Sequence, residues 1–236
     1  IQSTLRVLLQ LKHDPRTIAL LILSPALLMT ILKLVYTNND LVFQHVAVSM
    51  LGVFPMTVMF LITSVTTLRE RTSGTLERLM VSPISKFEFV AGYAIAFGIA
   101  SAIQATVVST YAIGVLHLKI SGSQLTLIWM AILDALLGLA IGLFVSSLAQ
   151  TEFQAIQFLP VVLLPQLLLS GLLVPRDSMS RFLSDFSNAL PLSYAVDATK
   201  KIATNGGSIY NDSIICVIFI FALLVLGSLT LKRSSK

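Results

Sequence analysis

Arg69-Glu70-Arg71-Thr72-Ser73-Gly74-Thr75-Leu76-Glu77-Arg78-Leu79-Met80-Val81-Ser82-Pro83 is a dense run of charge between two long apolar stretches, in a chain where only 11% of residues are charged. Charge beside a bilayer is costly unless it reaches water, so the segment reads as an aqueous connection that meets something in the cytoplasm. It is also patterned. Leu76, Leu79 and Met80 form one apolar face, Glu77 and Arg78 face water, and Pro83 stops the run, as in a short amphipathic helix. Ser85-Lys86-Phe87-Glu88 follows as a capping box, with Ile84 and Phe89 as its hydrophobic staple, and marks the start of the next apolar run.

The sequence on either side decides the class. With 56% hydrophobic residues and a mean hydropathy of +0.89, too little polar material remains to build a soluble surface. The chain is expected to be an all-α polytopic membrane protein, a single domain over residues 1–236. Six apolar runs, near 17–36, 46–68, 87–117, 125–149, 153–174 and 213–231, are long enough to cross about 30 Å of hydrocarbon. The third is longer than a crossing needs, so it is expected to tilt or to project into water.

Positive charge orients the chain. With both ends inside, ten of the 16 basic residues face the cytoplasm: Arg6, Lys12, Arg16, Arg69, Arg71, Arg78, Lys86, Lys232, Arg233 and Lys236. Lys119, Arg176, Arg181, Lys200 and Lys201 fall outside, with Lys33 near the outer end of the first span, and the tight loop 37–45 carries no Lys or Arg. Residues 1–16 place Leu5, Leu8, Leu9 and Lys12 at helical spacing, which suits a helix lying in the membrane interface. In the last external loop, 175–212, Met179, Phe182, Leu183 and Phe186 predict one amphipathic helix, and Ser193 to Ala203 predicts a second. A hairpin of short helices dipping into the outer leaflet follows, because open backbone is not tolerated in lipid.

The sequence excludes several chemistries. Cys216 is the only cysteine, and His13, His45 and His117 lie far apart, so neither a disulfide nor a metal site is expected. A net charge of +5 does not imply nucleic acid, because no basic stretch is interleaved with aromatics. No catalytic constellation is present, and no GxxxxGK[ST] phosphate loop, so the chain is not expected to be an enzyme or to bind a cofactor. Asp134 is the one acid well inside a span. It lies in register with Gly138, Gly142 and Ser146, which reads as a close helix-packing face, with ion coupling as the other reading. Gly92, Ala96 and Ala100 make a similar face on the third span. Gln150, Gln154 and Gln157, with Gln166 further along, form a polar stripe that either holds helices together or lines a path. Pro160 and Pro165 are expected to kink that helix.

With these residues in view, the chain resembles the permease subunits of type-2 ABC exporters, particularly the drug- and antibiotic-resistance branch. Leu68-Arg69-Glu70-Arg71 through Gly74-Thr75-Leu76-Glu77-Arg78-Leu79 to Ser82-Pro83 is similar to that family's cytoplasmic signature after the second span. Ser170-Gly171-Leu172-Leu173-Val174-Pro175 is similar to its motif at the end of span five. Leu190-Pro191-Leu192-Ser193-Tyr194-Ala195-Val196-Asp197-Ala198 is similar to its external-loop motif, with Ser193 where Thr is usual.

The resemblance implies an interfacial N-terminal helix, a cytoplasmic coupling helix within 69–86, and re-entrant helices before span six. It further implies that two permease copies pair, as a homodimer or a heterodimer, in a bacterial cytoplasmic membrane. Two ATPase subunits carrying ATP and Mg would dock below them. The ATPase contact carries over to Arg69, Glu70, Arg71, Gly74, Thr75, Leu76, Glu77, Arg78, Leu79, Met80 and Ser82, and Pro191, Ser193 and Tyr194 mark the external motif. Spans one, two and five are implied to line the path, so Met56 and Met59 with Gln154, Gln157 and Gln166 are candidates for the path or the dimer interface. The alternatives are an ion-gradient-driven secondary transporter and a non-transporting membrane scaffold or sensor.

Overall fold

The computed structural model describes residues 2–72, 86–204 and 206–230, and among these the regular structure is entirely helical. The elements are α1 (Gln2–His13), α2 (Pro15–Val35), α3 (Asp40–Thr72), α4 (Lys86–Gly114), α5 (Gln124–Leu148), α6 (Glu152–Leu169), α7 (Arg181–Ser187), α8 (Pro191–Thr204) and α9 (Tyr210–Thr230). A 3-10 turn, Arg176–Ser178, precedes α7. Six of these helices, α2 to α6 and α9, are long and apolar enough to cross a membrane. The chain is an all-α polytopic membrane protein.

Asp14 separates α1 from α2. Its carboxylate accepts from the Thr17 amide at 3.1 Å and the Thr17 hydroxyl at 2.6 Å, and Pro15 takes the first helical position, where no amide is needed. Those bonds from Thr17 hold the Asp14 carboxyl below its ordinary pKa. α1 buries Val7, with Leu8 and Leu11 partly covered, against Leu21, Tyr93 and Phe97, while Leu5 and Leu9 stay outside. The expected apolar face of Leu5, Leu8 and Leu9 is thus divided between packing and exposure.

α3 departs most from the sequence boundaries. Its 33 residues rise about 50 Å, well beyond the hydrocarbon thickness, so the helix runs through the expected span and out at both ends. Arg69 to Thr72 form its last turn rather than the start of a loop, and the two arginines there complement the negative end of the helix dipole. The amphipathic helix expected from Leu76 to Met80, together with Gly74, Thr75, Glu77, Arg78, Leu79 and Ser82, lies outside the described residues, as does Ser85 of the capping box.

The core is the crossing of α3 and α5, which is a contact of backbone on backbone. A Cβ built on Gly138 would collide with the Met56 carbonyl, and one on Gly142 would come within 2.7 Å of the Phe60 carbonyl. Gly52 answers from the other side, with the Asp134 carboxylate packed against its Cα. The stripe of Asp134, Gly138, Gly142 and Ser146 is therefore a packing face, as its spacing predicts. α4 lies on the next side of α5, where Ala96 and Ala100 meet Ala131, Ala135 and Leu139. α2 is clipped to α4 by Gln104, whose amide donates to the Leu21 carbonyl at 2.8 Å. That carbonyl lies four residues before Pro25, so it has lost its helical partner, and the glutamine replaces it.

The end opposite α1 holds the helical hairpin. Gly171 adopts φ +82° directly after α6, a backbone shape that side chains rarely tolerate, and turns the chain back. α7 begins only at Arg181, so Met179 falls outside it, and Phe182, Leu183 and Phe186 are exposed rather than buried. α8 starts at Pro191, two residues before the expected start, because proline suits the first turn. It is inserted into the bundle, with Leu192, Ala195, Val196, Ala198 and Ile202 buried. The 115–123 connection closes its far end through Ser121 N to Ala203 O at 3.2 Å and Gly122 N to Ile202 O at 3.0 Å.

Candidate coupling site

The last turn of α3 carries Arg69, Glu70 and Arg71, and the described structure gives all three a partner within the chain. Arg69 makes a two-pronged ion pair with Glu152, Nε to Oε1 and Nη2 to Oε2, both 2.9 Å. Arg71 reaches the other way, donating to the Ser147 carbonyl at 2.8 Å and to the Ala149 carbonyl. Those acceptors are free carbonyls at the end of α5, so Arg71 caps that helix with charge-assisted bonds. Glu70 faces α1, where Arg6 lies 3.4 Å from its Oε1.

Three consecutive residues thus tie α3 to α6, α1 and α5 in turn. Consecutive helical positions are about 100° apart, so neighbours in sequence point at different helices. The clasp sits immediately before the connection 73–85. The Arg69–Glu152 pair is open to water, with side chains 67% and 44% exposed, so it contributes positioning more than stability. Arg71 is half-buried and bonded to backbone, which makes it the stronger fastener.

The glutamine stripe separates into distinct roles. Thr151 caps α6, accepting from the Gln154 amide at 3.2 Å, and the Gln154 side chain returns to the Gln150 amide at 2.8 Å. This is a capping arrangement with its signature in Thr151-Glu152-Phe153-Gln154. Gln157 is exposed on α6, beside the exposed Phe153, Ile156, Val161 and Leu164. Gln166 is buried, donating to the Val162 carbonyl at 3.2 Å and accepting from the Leu192 amide at 3.4 Å, so it anchors the start of α8 to α6. Met56 and Met59 are enclosed in the protomer and reach no surface of it.

The external motif is structural in the same sense. Pro191 opens α8, Ser193 shares a 3.0 Å hydrogen bond with Ser187, and the Tyr194 hydroxyl donates to the Asn188 carbonyl at 2.8 Å. Arg176 joins this knot through Asn188 and through Asp197 at 2.6 Å. Sequence reading did not single out Glu152, Arg6 or Gln104. For Glu152 the available signal was its place at the start of a capped helix. For Gln104 it was a buried amide facing a proline-freed carbonyl, which no local pattern reveals. Among the described residues, no group of three or more His, Cys, Asp or Glu side chains is placed to hold a metal ion.

Comparison with known proteins identifies the setting of this clasp. Residues 2–203 match the ABC-2 type transporter family. The chain is 31% identical over 149 residues to the probable multidrug ABC transporter permease YbhR of Escherichia coli K12, covering 63% of this chain and 40% of that protein. It is 27% identical over 194 residues to the probable multidrug ABC transporter permease YbhS of the same organism, covering 80% and 50%. ABC transporter G family member 20 of Dictyostelium discoideum is 27% identical over 198 residues, covering 83% and 27%. The chain spans about half or less of the length of these relatives. With the match running from α1 into α8, the chain belongs to the ABC-2 type transporter family.

Proposed function

We propose that this chain is the transmembrane permease subunit of an ATP-driven exporter, moving an amphipathic drug-, antibiotic- or lipid-like substrate out of the cell. ATP and Mg are held by a separate ATPase subunit, and two permease copies pair in a bacterial cytoplasmic membrane with both termini cytoplasmic. The α1 end is then the cytoplasmic end, and the hairpin of α7 and α8 is external. Relatives described as multidrug permeases and the ten-to-five distribution of basic residues support this reading.

The observation that carries the mechanism is the clasp. A push on the segment from Gly74 to Ser82 enters α3 through the turn bearing Arg69 and Arg71. Those residues pass it to the end of α5 and the start of α6. Because Gly138 and Gly142 lock α5 to α3 by backbone contact, the pair moves as one lever. α6, held at its ends by Glu152 and Gln166 and carrying Pro160 and Pro165, is the element free to change shape.

Replacing Leu76 and Leu79 together by Asp removes the apolar docking face. The expected result is loss of ATPase co-purification with normal membrane insertion, and undiminished complex formation would count against the proposal. One observation favours an ion-driven alternative: Asp134 is buried in the bundle, and its Oδ1 has no hydrogen-bond partner among the described residues.

A further inference from the structure

At the hairpin end, α3 and α8 enclose a cleft of about 350 Å³, room for roughly ten water molecules. His45 and Ser49 line it from α3, and Asp197, Lys200, Lys201 and Thr204 from α8. Val48 and Ala203 add apolar wall. None of these residues belongs to the coupling clasp, and only Asp197 takes part in the external motif's hydrogen bonds.

The charges here do not cancel. Asp197 is paired with Arg176 at 2.6 Å, and Asp212 with Lys201 at 2.6 Å. Lys200 is the third cation, and its ammonium donates only to the Gly171 carbonyl. The site therefore carries one positive charge more than it has carboxylates to balance. Burial pushes the Asp197 carboxyl above its ordinary pKa, with Arg176 opposing.

Ser49 supplies an independent observation. Its residue is 3% exposed, it lines the cleft, and its hydroxyl has no hydrogen-bond partner among the described residues. Its hydroxyl lines the open cleft and is not tied to the chain, so it is free to donate to a bound acceptor. The imidazole of His45, one helical turn away and equally unpartnered, adds a further donor.

We propose that this cleft binds a phosphate group, held by Lys200, Ser49 and His45, with any attached carbon chain lying along Val48 and Ala203. Several donors around one surplus cation suit an oxyanion with several acceptor oxygens. The inference rests on the geometry of the cleft and not on the direction or energy source of transport.

Binding to the purified protein in detergent micelles, with no ATPase present, tests it. The probes are dioctanoyl phosphatidic acid, dioctanoylglycerol with the same tails but no phosphate, and inorganic phosphate as competitor. Phosphatidic acid is expected to bind about tenfold more tightly than the glycerol lipid, the scale of one charge-assisted hydrogen bond. Ser49→Ala and Lys200→Met are each expected to remove most of that difference, while Lys12→Met, at an exposed lysine on α1 at the opposite end, leaves it unchanged. Competition by inorganic phosphate would assign the site to free phosphate, and its failure to compete would assign it to a lipid headgroup. Equal affinity for the two lipids, or a preference untouched by Ser49→Ala, would overturn the proposal. Ser49→Ala removes a single oxygen and keeps the helix, so it decides the matter should Lys200→Met fail to fold.

Discussion

Gly138 and Gly98 are both helical glycines, yet only one is held by its surroundings. A side chain at Gly138 meets the Met56 backbone, which cannot move without shifting all of α3, whereas at Gly98 the nearest atom is the mobile end of Leu136 at 3.5 Å. Gly138→Leu is expected to destabilise the protein by about 3 kcal/mol through overpacking, and Gly98→Ala by less than about 0.5 kcal/mol. Thermal unfolding of the two detergent-solubilised variants checks the contrast, and equal midpoints would refute the backbone contact. The spacing of Gly138 and Gly142 was legible in the sequence as a packing face. That Gly52 and Met56 are its counterpart was not, because partners on another helix leave no mark on local periodicity.

At the scale of the element, α3 functions as a rod whose end is fastened on three sides. The Arg69–Glu152 pair is water-exposed, so its loss changes stability by less than about 1 kcal/mol. Its effect on transmission is expected to be larger. Arg69→Glu should leave unfolding nearly unchanged while cutting substrate-stimulated ATPase activity in the reconstituted complex, and adding Glu152→Arg should restore it. A single variant as active as the parent, or a double variant no better than the single, would argue that the pair transmits nothing. The charge of Arg69, Glu70 and Arg71 was the plainest feature of the sequence, and it was read as a surface offered to another protein. The structure uses these side chains first to hold the chain to itself, since a carboxylate on α6, carbonyls at the end of α5 and the Arg6 guanidinium on α1 lie within their reach.

At the scale of the molecule, the exposed apolar surface is concentrated on α2, α6 and α9, as Leu23, Leu27, Val161, Leu164, Leu168, Ile218 and Phe221 illustrate. Bilayer and partner copy would divide that surface between them. If copies pair through α6, Gln157→Cys should form an oxidative cross-link between protomers in membranes, because the native Cys216 is buried and silent. A Cys placed at Phe221 on α9 should not, and the reverse pattern would relocate the interface. Asp134 tests the energy source. Under the exporter reading Asp134→Asn preserves ATP-dependent efflux from reconstituted vesicles, since the side chain serves packing against Gly52. Loss of transport in that variant, together with collapse of wild-type transport when the proton gradient is dissipated, would favour ion coupling.

The sequence by itself determined the class of protein, its six membrane-length runs and the amphipathic pattern of the charged connection. Each is written in local composition and spacing, and the bilayer accepts few other arrangements for such a chain. It also carried the motifs by which the family is recognised. Only the tertiary structure decided what those residues do: that Gln166 anchors α8, that Gln104 replaces the bond lost at Pro25, that α8 is buried in the bundle, and that Arg69, Glu70 and Arg71 clasp α3 to three helices. These roles depend on partners distant in sequence, and a helix's own periodicity shows which face is apolar or polar without specifying what that face will meet.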